Sequence, residues 1–231
     1  MARSGAHPSV RAIAFDAFPI FDPRPVSEMA EAIFPGKGLE LSNVWRTRQF
    51  EYQWLRSIAG RYADFRQTTE DALVFAARQV ALDLTPDRRA RLMEVYENLK
   101  AWPDVPRALR ELRGAGLRLA ILSNMTNSML EAGIRNSGLQ GVFEQVLSTD
   151  QIHTFKPDPG AYRMAIDALK LGREQILFAA FAGWDAAGAK WFGYPTFWVN
   201  RLALPGEELD AAPDAIGRNL DDLVRYVKGA A

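Results

Sequence analysis

The chain contains no cysteine and only two histidines, His7 and His153. Without cysteine it can form no disulfide, thiolate nucleophile or cysteine-bound zinc site. No Gly-x-Ser-x-Gly motif accompanies the histidines, which argues against a serine hydrolase triad. Glycine-rich phosphate loops are also missing, both the Gly-x-x-x-x-Gly-Lys-Ser/Thr type and a Gly-x-Gly-x-x-Gly after the first strand. Nucleotide cofactors are therefore disfavoured.

The sequence also lacks an excess of either charge. Lysine plus arginine and aspartate plus glutamate number 28 each among 231 residues, so neither nucleic acid nor an anionic membrane is an expected partner. The apolar runs are well short of the ~20 residues of a membrane-spanning helix. The first residues lack the apolar stretch of a signal peptide, so we expect a cytoplasmic protein.

Strand and helix patterns alternate from about residue 102 onward. Short apolar strands are predicted at 11–15, 117–122, 142–147, 175–180 and 196–199. Amphipathic helices are predicted between them at 105–113, 127–136, 159–170 and 185–192. This alternation predicts an α/β fold, a Rossmann-like parallel sheet with helices on both faces.

The segment 23–100 has a different pattern, with helical periodicity and no strand signal. Four helices are predicted, at 26–34, 39–58, 67–81 and 86–99. Pro86 follows Thr85, a suitable capping residue, and fits a first helical position. We therefore predict a core domain of residues 1–22 and 101–231, with an all-helical cap domain of residues 23–100 inserted after the first strand.

Polar side chains stand where successive predicted strands end. Asp16 follows the first strand, Ser123 and Asn124 the second, Lys156 the third and Asp185 the fourth. Each could alone be a helix cap or a surface charge. Parallel strands bring their carboxyl ends to one edge of the sheet, where ligands bind. The ordered set therefore indicates a site in which Asp16 is either a nucleophile or a metal ligand.

Several motifs support a resemblance to a known family. They are AFDA at 14–17, WR at 45–46, QFEYQWLR at 49–56, LAILSN at 119–124, KPD at 156–158 and WDAAGA at 184–189. In this order, they resemble those of the haloacid dehalogenase superfamily, in particular its type II branch, which acts on L-2-haloacids. The likeness covers both core and cap.

Two positions distinguish dehalogenase from phosphatase chemistry. Phosphatases of the superfamily carry a second aspartate two residues after the nucleophile, where this chain has Phe18. They also gather acids around Mg²⁺, which requires oxygen ligands. Here the residues before Asp185 are Phe-Ala-Gly-Trp, without a Gly-Asp pair. We therefore expect halide displacement without a metal or other cofactor.

The resemblance implies a role for each charged residue. Asp16 would attack the halogen-bearing carbon of a 2-haloacid and form an ester. Lys156 would keep Asp16 ionised, and Asp185 would activate the water that hydrolyses the ester. Arg46 would receive the halide from the cap. A surface ion pair between Arg46 and Glu51, or another neighbouring acid, is the alternative.

The resemblance also implies substrate-binding residues. Ser123 and Asn124 would bind the substrate carboxylate, and Tyr162 would order the region around Lys156. Aromatic side chains would exclude water, although the aromatic residues of the cap could simply form its core. The residues expected to exclude water are Phe18, Phe50, Phe65 and Trp184. The family further suggests a homodimer.

Two departures from the family pattern leave two hypotheses open. The loop after Asp16 is one residue shorter than the family's Asp-x-Tyr-Gly-Thr-Leu, and Pro19 follows Phe18 where the family has glycine and threonine. Ala180-Phe181-Ala182 replaces a Ser-Ser-Asn triplet. The protein is either a working dehalogenase with a more apolar pocket, or an impaired relative that binds a small carboxylate or stalls at the ester.

Overall fold

The computed structural model describes residues 10–229 and contains a six-stranded sheet in which all neighbouring strands are parallel. The strand order is β3-β2-β1-β4-β5-β6. The strands are β1 Ala12–Phe15, β2 Arg118–Ser123, β3 Gln145–Ser148, β4 Ile176–Ala180, β5 Thr196–Val199 and β6 Ala215–Gly217. The chain order reverses between β1 and β4, and ligands bind at such a switch point in open α/β sheets.

Helices cover both faces of the sheet. They are α5 Val105–Gly114, α6 Asn127–Asn136, α7 Pro159–Leu169, α8 Gly183–Phe192 and α9 Leu220–Lys228. Ile13 and Phe15 of β1 contribute to one hydrophobic core, whereas Ala12 and Ala14 contribute to the other. Successive side chains of a strand point to opposite faces. A strand buried on both faces therefore has the continuous apolar sequence seen here.

Four helices between β1 and α5 form the cap. They are α1 Arg24–Ile33, α2 Gly38–Ile58, α3 Phe65–Gln79 and α4 Pro86–Glu97. The side chains of Asp64 and Thr85 cap α3 and α4 by accepting backbone N–H bonds. An antiparallel bridge between Phe21 and Ala101 joins the two ends of the inserted segment. The predicted fold class is confirmed, while the domain division at 22/23 and 100/101 stays a prediction.

Some predicted elements differ from the structure. The strand predicted at 142–147 begins only at Gln145, because Val142 lies in a turn in which its N–H donates to the carbonyl of Leu139. The edge strand β6 and helix α9 were not predicted. His7 lies outside the described residues. Within 10–229, no helix is both long and apolar enough to span a membrane.

Candidate active site

Three buried charged residues meet at the carboxyl ends of β1 and β4. Asp16 directly follows β1, and Asp185 lies in the first turn of α8, which follows β4. Lys156 Nζ lies between them, 2.8 Å from Asp16 Oδ1 and 2.6 Å from Asp185 Oδ2. The exposed fraction of all three is below a tenth. The topology thus brings together charges that are far apart in sequence.

Burial and charge act in opposite directions on these groups. Burial lowers the pKa of Lys156, but Asp16 and Asp185 together outweigh it, so the lysine pKa is raised and the ammonium form persists. Burial raises the pKa of Asp185, to about 6, and the charge of Asp16 adds to this effect against the opposing pull of Lys156. Asp185 therefore takes up a proton more readily than an ordinary aspartate, although the ammonium group of Lys156 lies next to it.

The short loop after Asp16 forms a compact turn. The N–H groups of Ile20 and Phe21 both donate to the carbonyl of Ala17. Arg201 donates to the carbonyl of Pro19 at 2.8 Å and forms an ion pair with Asp104. The Phe18 N–H donates to Asp16 Oδ2 at 3.2 Å. The loop therefore holds the nucleophile candidate without the glycine and threonine of the family pattern.

A cavity of about 320 Å³ lies over Asp16, between cap and core. Most of the residues predicted for the site line it. These are Asp16, Phe18, Arg46, Phe50, Phe65, Ser123, Asn124, Lys156, Trp184 and Asp185. The aromatic rings of Phe50 in the cap and Trp184 in the core are in contact, with their centroids 5.2 Å apart. Every charged residue predicted for the reaction thus borders one space.

Tyr162 is the exception, because it does not line this cavity. Its side chain is fully buried beneath the site, where the hydroxyl donates to Asp185 Oδ1 at 2.8 Å. The predicted substrate contact does not fit this position. Tyr162 instead holds the carboxylate of Asp185 in place from behind.

Arg46 is exposed on α2 and borders the cavity. The alternative pairing with Glu51 is not formed, because Glu51 pairs with Arg48 at 2.7 Å. Within residues 10–229 Arg46 has no carboxylate partner within ion-pair distance, and its guanidinium lies 5.9 Å from the ring of Phe50. Neighbouring Trp45 is buried in the cap, where its indole N–H donates to the carbonyl of Thr69. Of the Trp-Arg pair, only the arginine is available to an anion.

Ser123 and Asn124 end β2 and face the same cavity. Asn124 Oδ1 accepts the backbone N–H of Lys156 at 2.9 Å and the hydroxyl of Thr149 at 3.3 Å. Asn124 Nδ2 donates to Gln53 Oε1 of the cap at 3.0 Å. Asn124 therefore links the loop that carries the lysine to helix α2.

The sequence reasoning missed several cavity residues. Gln49, Gln53 and Tyr96 line the cavity, and the helical spacing of the two glutamines with Arg46 was the available signal. Of the three positions that replace Ser-Ser-Asn, Phe181 and Ala182 line the cavity. Ala180 does not, since it packs in a hydrophobic core of the sheet. The loss of polar groups at the site thus concerns Phe181 and Ala182.

The donor set does not fit a divalent cation. Lys156 already lies between the two carboxylates where such an ion would have to bind. No cluster of three or more histidine, aspartate or glutamate side chains suited to a metal occurs between residues 10 and 229. Mg²⁺ binds several oxygen ligands and is not accommodated beside an ammonium group.

Comparisons with known proteins agree with this geometry. Residues 3–193 match the family model of the haloacid dehalogenase-like hydrolases. The chain belongs to this family. It is 42% identical to the (S)-2-haloacid dehalogenase of Pseudomonas sp. (strain YL), over 96% of both chains. It is also 40% identical to haloacetate dehalogenase H-2 of Moraxella sp. (strain B), over 94% of this chain and 98% of the other.

Solved structures of the family superimpose closely on the chain. A crystal structure of an L-2-haloacid dehalogenase matches with a TM-score of 0.93 and 44% identity, covering 95% of this chain and 99% of the other. The Xanthobacter autotrophicus enzyme with chloropropionic acid covalently bound matches with a TM-score of 0.87 and 34% identity, covering 96% and 100%. The predicted membership in the 2-haloacid dehalogenase branch, as an enzyme of the carbon–halide hydrolase class, is confirmed.

Proposed function

We propose that this protein hydrolyses short L-2-haloacids to 2-hydroxy acids through an ester at Asp16, without a metal ion. The observation that carries the proposal is the position of Lys156 Nζ, in contact with both Asp16 and Asp185 beside the cavity. The substrates named for the related enzymes, and the covalent complex of the Xanthobacter enzyme, support it.

In the first step a carboxylate oxygen of Asp16 attacks C2 of the substrate. The new C–O bond forms as the carbon–halogen bond breaks, and the halide leaves with the bonding electron pair, so the configuration at C2 inverts. Lys156 Nζ, 2.8 Å from Asp16 Oδ1, holds the attacking carboxylate in place. Arg46, which has no carboxylate partner of its own, receives the halide with its guanidinium donors.

The remaining cavity residues hold the substrate and exclude water. Ser123 and Asn124 bind the substrate carboxylate at the end of β2. The rings of Phe18, Phe50, Phe65 and Trp184 surround the reacting carbon. These rings form an apolar part of the cavity lining, while Arg46, which is exposed, borders the cavity from α2.

In the second step water attacks the carboxyl carbon of the Asp16 ester. Asp185 accepts a proton from that water and passes it to the departing oxygen as the ester C–O bond breaks on the Asp16 side. The second proton of the water is released as Asp16 becomes a carboxylate again. The released 2-hydroxy acid therefore carries an oxygen that belonged to Asp16, and Asp16 gains an oxygen from water. The Tyr162 hydroxyl, 2.8 Å from Asp185 Oδ1, keeps this base oriented.

A second candidate function is a protein that stops at the ester. The apolar side chains of Phe181 and Ala182 favour it, because they border the cavity where the family pattern has a serine and an asparagine. Such a protein would be alkylated once at Asp16 by bromoacetate. Intact-mass measurement distinguishes the two functions, since a stable mass increase without continued bromide release supports only the stalled protein.

The proposal is tested by halide release in the presence of a chelator. Wild type is expected to release many equivalents of halide from L-2-chloropropionate or bromoacetate. The Asp16→Asn variant, which is nearly isosteric, is expected to release none. Folded wild-type protein that releases no halide from either acid, or activity that requires an added metal, would contradict the proposal.

We further propose that residues 23–100 form a separate cap domain on a core of residues 1–22 and 101–231. A homodimer in the cytoplasm remains a prediction, the dimer from the family resemblance and the location from the sequence. Sedimentation of the purified protein would test the dimer. Limited proteolysis, with cleavage confined to the segments around residues 22 and 100, would support the domain division.

A further inference from the structure

One face of helix α2 borders the cavity with four side chains. Arg46, Gln49, Phe50 and Gln53 are spaced three or four residues apart and therefore share a face. Gln53 is fully buried and lies next to Asn124, and Gln49 is almost as deeply buried. The two glutamines are thus comparable in position and burial, but they differ in their partners.

The amide of Gln49 is paired at both ends inside the cap. Its Nε2 donates to the hydroxyl of Thr69, and its Oε1 accepts the hydroxyl of Tyr96 at 3.2 Å. All three of these residues belong to the cap helices α2, α3 and α4. Gln49 therefore has the hydrogen bonds expected of a polar residue in a helical core.

The amide of Gln53 has a fixed orientation. The backbone N–H of Lys156 can only donate, so the atom of Asn124 that it contacts must be the oxygen. The nitrogen of Asn124 therefore faces Gln53, and Gln53 must present its Oε1 to it. Gln53 Nε2 is then directed elsewhere, and in the described part of the chain it is buried without a hydrogen-bond partner.

An unpartnered buried donor at a cavity indicates a ligand that accepts hydrogen bonds. Buried polar side chains almost always have partners, because leaving one unpaired is costly. Gln53 lies seven residues from Arg46, which places them about 10 Å apart along α2 at ~1.5 Å per residue. Arg46 and Gln53 are thus separate donors on one face of α2, and Gln53 lies beside Asn124 at the end of β2.

We infer that Gln53 is a specificity-determining residue whose Nε2 donates a hydrogen bond to the carboxylate of the substrate. The inference rests on the proposed function for the identity of that carboxylate. In it, Asn124 orients the cap amide through Gln53 Oε1, and the bound acid completes the hydrogen bonds of Nε2. Halide binding at Arg46 is independent of this contact.

The test measures binding of propionate and of bromide by calorimetry at pH 9. Gln53→Met has a side chain of similar length without the amide, and it should weaken propionate binding about 10- to 100-fold, the range for a hydrogen bond to a charged group. Gln53→Glu keeps an oxygen for Asn124 but replaces the donor with an anionic oxygen, so it should weaken propionate binding further. Bromide affinity should stay within about twofold of wild type in both.

Gln49→Met is the matched control, since it removes an equally buried amide from the same face of α2. It should leave propionate affinity within about twofold of wild type. The inference would be overturned by unchanged propionate affinity in Gln53→Met, by wild-type affinity in Gln53→Glu, or by an equal loss in Gln49→Met. Propionate binding needs no turnover, so these results are independent of whether the protein releases halide.

Discussion

The core side and the cap side of the cavity differ in how completely their polar groups are paired. On the core side, Lys156 contacts both Asp16 and Asp185, and Tyr162 holds Asp185 from behind. On the cap side, Gln53 Nε2 is buried without a partner, and Arg46 has no carboxylate within ion-pair distance among residues 10–229. The core side is thus assembled before substrate binds, whereas these two cap-side groups have no such partners among the described residues.

This difference matches the two requirements of the proposed reaction. A nucleophile that is already held in place by hydrogen bonds does not have to reorganise during the reaction. A leaving halide and a substrate carboxylate are instead bound anew in each turnover, so their donors have to be available in the empty site. Variants that remove one side chain from the core side or from the cap side test this difference.

The largest effect is expected from Lys156→Met. It leaves the carboxylates of Asp16 and Asp185 buried without their cation, which should cost about 3–5 kcal/mol of the free energy of unfolding at neutral pH. Activity should be lost as well. The pKa of Asp185, already raised by burial, would rise further without Lys156, so the folded variant would bind more protons than the unfolded one, and its stability should decrease as pH rises. Urea unfolding at several pH values measures this.

Lys190→Met is the control for this variant. Lys190 pairs with Asp214 at 2.9 Å, but about a quarter of each side chain is exposed. Removing such a pair should cost at most about 1 kcal/mol. Equal destabilisation in the two variants would contradict the central role given to burial.

The next largest effect is expected from Arg46→Met on the cap side. Loss of a donor to a developing negative charge should lower kcat about 10²- to 10³-fold. Stability should be nearly unchanged, because Arg46 is exposed and makes no ion pair with another described residue. Steady-state halide release together with thermal unfolding measures both quantities.

Arg48→Met controls for the loss of an arginine from α2. Arg48 does not line the cavity and pairs with Glu51. Its kcat should stay within about twofold of wild type, as for surface changes away from the site. Similar losses of kcat at both positions would mean that general charge, and not the location of Arg46, supports the reaction.

A moderate effect is expected from acid. Burial raises the pKa of Asp185 to about 6 in the free enzyme, and the charge of Asp16, which adds to this shift, is lost when Asp16 forms the ester. In the ester Asp185 therefore becomes protonated only as pH falls below 6, and it can then no longer accept a proton from water. Hydrolysis of the ester should slow progressively below pH 6. Rapid-quench measurement at pH 5 should detect accumulated ester, and an ester level that is the same at pH 5 and pH 8 would argue against Asp185 as the base.

The smallest effect is expected from Phe50→Leu, which weakens the contact between cap and core. Phe50 meets the edge of Trp184 at 5.2 Å, and such aromatic pairs contribute about 0.5–1.5 kcal/mol beyond their buried area. We expect a few-fold rise in KM and little change in kcat. A large fall in kcat with an unchanged KM would show that Phe50 acts on the reaction itself.

The core side of the site could be predicted from the sequence to a large extent. Asp16 and Asp185 follow β1 and β4, whose apolar runs are easily recognised, and the parallel topology brings strand ends together. Tyr162 was expected to bind at the site and to order the region around Lys156, whereas its hydroxyl donates to Asp185, a contact that sequence spacing does not show.

The cap side was less predictable. The helical sequence pattern does not distinguish Gln53 from a surface glutamine. Its contact with Asn124 joins positions 71 residues apart. The same limit applies to the three-residue edge strand β6, which is too short to give a pattern of its own. Contacts of this kind depend on how the cap sits on the core, which local periodicity does not encode.

The most direct test of the central claim is a single turnover in ¹⁸O-labelled water with enzyme in excess over L-2-chloropropionate. The ester mechanism predicts that the released 2-hydroxy acid contains no ¹⁸O and that the peptide carrying Asp16 gains one ¹⁸O atom. A hydroxy acid that carries ¹⁸O from this first turnover, with Asp16 unlabelled, would contradict the ester mechanism.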